Sequence, residues 1–227
     1  MHMTDLSHTT AVVTGDSRGF GRGIADALRG AGAQVVGISR TGGADATDPA
    51  VVRDTMLKHR PSILVLNAGA LPVAAPIDSL DWAAFNRNWE VDTRHVFEWT
   101  KAALSLPMDP GGLVVAMSSG AALHGSPVSG GYASAKAAIR FISKYAADES
   151  RRRGLGLRFV TLLPKLSPTT EVGRAGLAAY QERDGVDPAA FEPALTPAQI
   201  GQHVLGLLDD SRPHVELLLS GSGGKEV

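Results

Sequence analysis

Six short runs of mostly aliphatic and β-branched residues recur along the chain, at 10–14, 34–39, 62–67, 113–118, 157–163 and 214–219. They do not alternate apolar with polar positions, so both faces of each strand are expected to be covered, as in a parallel sheet between two helix layers. In the first intervening stretch Phe20, Ile24, Ala27, Leu28 and Ala31 recur at spacings of three and four and stop at Gly32, the period of a helix with one apolar stripe. Helices are expected likewise at 49–59, 80–106, 132–153 and 197–208. Strand and helix take turns, which predicts an α/β fold with a doubly wound, mostly parallel sheet in three αβα layers. The segment 165–197 is rich in Pro, Gly and Thr and long for a loop, so it is expected to cover a site. After the last strand, Ser220-Gly221-Ser222-Gly223-Gly224 predicts a flexible tail.

The length of 227 residues suits one sizeable core, and no linker divides it. With 22 Lys+Arg against 23 Asp+Glu there is no electrostatic reason to expect nucleic acid or an anionic membrane as partner. No cysteine is present, which excludes disulfides, thiolate metal sites and cysteine nucleophiles and fits a reducing cytoplasm. The seven histidines form no short ligand spacing, so no metal site is expected, and no apolar run is long enough to span a bilayer. Arg151, Arg152 and Arg153 fall at the end of an expected helix, where its dipole favours cations.

Thr14-Gly15-Asp16-Ser17-Arg18-Gly19-Phe20-Gly21 joins the first strand to the first helix. Glycines there let the backbone approach a pyrophosphate, and the free N–H groups and dipole of the helix start attract its charge, which makes Gly15, Ser17, Arg18, Gly19, Phe20 and Gly21 candidates for binding a dinucleotide. The second strand ends in Ser39-Arg40-Thr41, without the acidic residue that would bind an NAD ribose. Arg40, with Arg18 as a second cation, can pair with a 2′-phosphate, so NADP(H) is the expected cofactor.

Asn67-Ala68-Gly69 and Ser118-Ser119 close two further strands, and Tyr132-Ala133-Ser134-Ala135-Lys136 opens a helix, all at strand ends that line the crevice of an open α/β sheet. Tyrosine ordinarily ionises near pH 10, so it needs a cation beside it to trade protons near neutrality; Lys136, one helical turn on, supplies one. On these motifs, with Ser119 thirteen residues before Tyr132 and Lys136 four after it, the chain resembles the short-chain dehydrogenase/reductase family from about residue 10 to 164. The resemblance implies a single Rossmann-type domain over residues 1–227, with 166–195 covering the substrate. It also implies an NADP-dependent oxidoreductase of carbonyl reductase or alcohol dehydrogenase type, acting on a small carbonyl or alcohol. Tyr132 would exchange the proton, Ser119 would hold the substrate oxygen, and Lys136 would assist both Tyr132 and the nicotinamide ribose. Asn67, Ala68, Gly69, Asp45, Ala46, Pro164 and Thr169 would contact the cofactor. The aromatic residues Trp82, Trp89, Trp99, Phe141 and Tyr145 on two long helices exceed what one sheet face needs, and the resemblance places a homodimer or homotetramer seam there.

Three departures stand out. Asp92 occupies the position where many members carry an Asn that holds a relay water; an ionised carboxylate would partly cancel the effect of Lys136 on Tyr132. Asn88, one turn earlier, could substitute or lie on the surface. Lys165 replaces the Gly of a usual Pro-Gly after Pro164, and could meet an anionic substrate or simply be solvated. Only four residues separate Arg40 from Asp45, where the family usually fits a helix and enters a further strand, so that strand is expected to be vestigial or absent. The alternative reading is an NADP(H)-binding sensor or scaffold of the same fold with weak or no turnover. A methyltransferase shares the glycine-rich turn but gives no reason for the Ser, Tyr and Lys spacing.

Overall fold

A computed structural model describes residues 5–227. The order is β1 (Thr10–Thr14), α1 (Gly19–Gly30), β2 (Gln34–Ile38), α2 (Pro49–His59), β3 (Ile63–Leu66), α3 (Trp82–Asn88) and α4 (Arg94–Ser105). Then follow β4 (Leu113–Met117), α5 (Ala121–His124), α6 (Gly130–Arg152), β5 (Arg158–Pro164), α7 (Glu171–Asp184), α8 (Pro197–Gly206), β6 (His214–Ser220) and β7 (Gly223–Glu226). The seven strands form one sheet in the order β2-β1-β3-β4-β5-β6-β7, parallel throughout except for the antiparallel β6–β7 pair. This is the Rossmann-type doubly wound arrangement expected. The order in which successive strands join the sheet reverses between β1 and β3, so a crevice opens beyond their carboxyl ends.

Successive residues of one strand feed opposite cores. Val13, Val65, Val115 and Leu162 pack with Ile24, Leu28, Ile200 and Val204 under α1 and α8. Val12, Leu64, Val114 and Phe159 pack with Met56, Trp99 and Ile139 under α2, α4 and α6. This two-sided burial is why the strands read as unbroken apolar runs.

Three expectations change, and a fourth, that the strand after β2 is vestigial or absent, holds. The single helix over 80–106 is split: between α3 and α4 the chain makes a π-helical turn, Trp89–Thr93, whose wider winding carries Asp92 inward. The segment 166–195 is no bare loop, since it holds α7, capped by the Thr170 hydroxyl accepting from Gly173 N–H, and a short 3₁₀ turn at Pro188–Phe191. The glycine-rich end is no loose tail: Gly221-Ser222 form a two-residue turn and β7 returns along β6, where Arg212 bridges to Glu226 at 2.7 Å. Beyond β2 the chain makes one 3₁₀ turn, Arg40–Gly42, and proceeds to α2, leaving β2 as the sheet edge. Arg151 and Arg152 pair with Asp148 and Glu149 at the solvated end of α6. No helix is long and apolar enough to cross a membrane among the described residues.

Candidate active site

Beyond the carboxyl ends of β1, β3, β4 and β5 lies a cleft of about 1380 Å³. Its floor is the turn after β1. Gly15 (φ +68°) and Gly19 (φ +56°) take left-handed conformations that favour glycine, and a Cβ on Gly15 would stand 2.9 Å from Ala68 Cα. The N-cap of α1, Arg18, is extended and its side chain makes no capping bond, so the first amides of α1 have no side-chain partner. Bare backbone, uncapped amides and a helix start together suit an anion such as a pyrophosphate.

Ser17, Arg18, Gly19, Phe20, Arg40, Asp45, Ala46, Asn67, Ala68, Gly69, Pro164 and Thr169 all line this cleft with Gly15. Gly21 does not line it. A Cβ there would stand 2.2 Å from the Gly15 carbonyl oxygen, so Gly21 lets α1 close under the loop rather than facing a ligand. Arg18 is not the free cation expected: it pairs with Glu171 at 2.5 Å, tying the glycine loop to the first turn of α7. Arg40 is exposed at the cleft's edge and makes no ion pair among the described residues. The Asp45 carboxylate accepts from both the N–H and hydroxyl of Thr47, which pull its pKa below the usual aspartate value. The neighbouring Ala46 carbonyl is held by the Trp99 indole at 2.8 Å. The Thr169 hydroxyl is turned toward the Leu195 carbonyl.

Thr14 and Asn67 brace the loop. The Asn67 amide donates to the carbonyls of Thr14 (3.2 Å) and Gly15 (3.1 Å). The Thr14 hydroxyl oxygen accepts from Asn67 N–H and Ala68 N–H, which occupies both of its acceptor positions. The same hydroxyl also lies 3.2 Å from the Val65 carbonyl and 2.9 Å from His95 Nε2, the direction of the last contact depending on the tautomer of the ring. Burial above all, then the ammonium of Lys136, drives the His95 pKa down to about 3 despite opposition from Asp45. His95 is thus a neutral strut. Sequence reasoning missed it because a lone His in a helix carries no motif.

Tyr132, Lys136 and Ser119 come together in the same cleft, as expected. Lys136 Nζ lies 5.6 Å from the Tyr132 ring centroid. The lysine donates to the Met117 carbonyl at 3.0 Å and meets Asp92 Oδ2 at 3.1 Å, both inside the protein. Burial alone would lower its pKa, but the Asp92 carboxylate, Tyr132 and the bond to Asp92 together hold it above the usual lysine value. Lys136 is a cation at neutral pH, with one of its three N–H groups left for the Tyr132 side. Ser118, beside Ser119, donates to the Lys136 carbonyl at 2.8 Å and locks β4 to α6.

Asp92 partners Lys136 directly, and its other oxygen accepts from Ala70 N–H at 2.8 Å. Asn88 is not a surface residue: it is 1% exposed and its amide donates to the Ala70 carbonyl, with Asp92 Oδ1 at 3.4 Å. Of the aromatic residues expected at a seam, Trp99 is core, Trp89 donates to the Ser134 hydroxyl, and Trp82, Phe141 and Tyr145 stand exposed.

A family model described as enoyl-(acyl carrier protein) reductase matches residues 44–216. The chain is also 31% identical over 177 residues to the 3-oxoacyl-[acyl-carrier-protein] reductase FabG of Escherichia coli (strain K12), covering 66% of this chain and 70% of that protein. The chain belongs to the short-chain dehydrogenase/reductase family. Solved members of similar shape include a short chain dehydrogenase from Mycobacterium avium, with TM-score 0.77, 19% identity and coverage of 99% of this chain and 86% of that one. A second is a Beutenbergia cavernae protein provisionally named an NAD(P) dependent gluconate 5-dehydrogenase and solved with NADP at low occupancy. It has TM-score 0.79 and 24% identity and covers 96% of this chain and 98% of its own. Membership makes the chain an oxidoreductase of this family; at these identities the two structures speak for the fold.

Proposed function

We propose that the protein is an NADP(H)-dependent oxidoreductase that interconverts a carbonyl and an alcohol. The observation that carries this is the buried Lys136 cation set against the Tyr132 ring in one cleft with Ser119. The relatives' names agree, one being a 3-oxoacyl reductase and one holding NADP. The uncapped start of α1, with Gly15, Ser17 and Gly19, would hold the pyrophosphate, Arg40 a 2′-phosphate, and Asp45, Ala46, Asn67, Ala68 and Gly69 the adenosine half. Pro164 and Thr169 would flank the other half. When bound, the nicotinamide supplies or takes up the hydride.

In the reducing direction Tyr132 gives its hydroxyl proton to the oxygen of the substrate, and Lys136 stabilises the phenolate that remains. Ser119 donates to the same oxygen and fixes its direction. Residues 166–195, through α7, cover the substrate and exclude water. Its Tyr180 hydroxyl reaches Ser126 at 2.8 Å, across from the loop that precedes α6. The exposed Trp82, Phe141 and Tyr145 are read as the seat of a second copy of the chain.

Purified protein assayed with NADPH and a ketone panel tests the reading. Tyr132→Phe is expected to lower kcat at least a thousandfold while NADPH still binds; retained turnover removes Tyr132 from the chemistry. Arg40→Asp is expected to raise the Kd for NADPH at least tenfold and leave NADH little changed. Tight NADPH binding with no turnover of any carbonyl would point to a sensor instead.

A further inference from the structure

We propose that Lys165 anchors a carboxylate on the substrate, so that the compounds processed in this cleft are short oxo acids and the matching hydroxy acids. The proposal rests on the oxidoreductase reading above and names its substrate class.

Position comes first. Lys165 follows the last residue of β5, and its N–H is fixed on the Leu219 carbonyl at 2.8 Å. The preceding carbonyl, of Pro164, accepts from Gly120 N–H at 2.9 Å. A Cβ on Gly120 would stand 3.6 Å from Lys165 Cα. The lysine therefore leaves the backbone beside the residue that follows Ser119, and its four-carbon stem spans roughly 6 Å. An acid group a few bonds from a carbonyl held at Ser119 falls within that reach.

The charges of the cleft then decide what Lys165 can meet. Its carboxylates are engaged: Glu171 with Arg18 at 2.5 Å, Asp92 with Lys136 at 3.1 Å, Asp184 with Arg183 at 3.6 Å, and Asp45 with Thr47 at the far, adenosine end. Lys165 is exposed, lines the cleft, and makes no ion pair among the described residues. Arg174 on α7 has no carboxylate either and donates to the Pro168 carbonyl. The substrate end thus carries unmatched positive charge between walls that include Leu71, Leu123, Leu166, Val186 and Phe191. Apolar walls focus the field of such cations, and they accept a short carbon chain as well.

The test compares pyruvate, acetoacetate and levulinate with their methyl esters, using NADPH and the whole chain. The wild type is expected to favour at least one acid over its ester tenfold or more in kcat/KM. Lys165→Met is expected to collapse that ratio through KM of the acid, and Lys165→Arg to keep it. A ratio that Lys165→Met leaves unchanged, or a wild type that prefers the esters, overturns the proposal. If Lys165 serves a cofactor phosphate instead, Lys165→Met weakens NADPH binding tenfold without moving the acid-to-ester ratio, which also overturns it.

Calorimetric titration with acetoacetate, with and without oxidised NADP, separates this from the parent reading. With no turnover of any compound, acetoacetate binding that disappears in Lys165→Met upholds the carboxylate site while the oxidoreductase reading fails. With no turnover, binding that is absent in the wild type, or equal in both proteins, overturns the site.

Discussion

Asp92 and Lys136 form an ion pair in which both side chains are almost wholly buried. Removing one partner of such a pair strands a charge and typically costs about 3–5 kcal/mol. Asp92→Asn takes away the charge but keeps an oxygen that can still accept from Lys136, which makes it the informative variant. Without the carboxylate, burial would act on Lys136 with less opposition and the ammonium would give up its proton at lower pH. The pH profile of kcat in Asp92→Asn is therefore expected to move to lower pH. A profile that stays in place makes the carboxylate incidental. The identity of residue 92 was visible in the sequence. Its direct contact with the lysine was not, because the contact depends on a π turn that no local preference announces.

At the scale of elements, α6 delivers Tyr132 and Lys136, and its start is set by how closely it approaches α3. Gly131 permits that approach: a Cβ there would lie 2.1 Å from the Phe85 carbonyl oxygen. Gly131→Ala must push the two helices apart, with a cost of about 1–3 kcal/mol for forced overpacking. Tyr132 is the next residue, so kcat is expected to fall by at least tenfold in protein that still folds. Thermal melts and steady-state assays on the same preparation check both parts. Strands and most helices were legible, with ends mostly within one or two residues, because buried strands and amphipathic stripes write their period into the chain. The helix α7 was not: its Gly173 and Gly176 weaken the pattern, and the helix is secured by the Thr170 cap and by packing over the cleft. The β6–β7 hairpin was hidden for a related reason, since a Gly-Ser-rich run reads as loose until a partner strand is known.

For the molecule as a whole, His95 links the site to acid stability. An unfolded chain takes up a proton on this side chain near pH 6.5, whereas the folded one resists until about pH 3. Its folded pKa lies below the unfolded one, so its contribution is fully present above about pH 6.5 and is lost as the pH falls toward 3. Within that window this one group removes about 1.4 kcal/mol of stability for each pH unit. His95→Gln keeps a polar partner for the Thr14 hydroxyl and cannot titrate. Denaturant unfolding between pH 6 and pH 4 is therefore expected to show a slope shallower by about that amount than in the parent protein. Equal slopes would mean that the histidine is protonated in the folded state.

The sheet that ends at β2 has one more consequence. Arg40 sits on a single surface turn that hands the chain on to α2, with no strand hydrogen-bonded outside it. Nothing in the register of the sheet depends on the side chains of that turn, apart from Gly43, whose left-handed φ of +81° favours glycine. The choice between coenzymes can therefore drift, or be redesigned, through a handful of solvent-facing codons without renegotiating the scaffold.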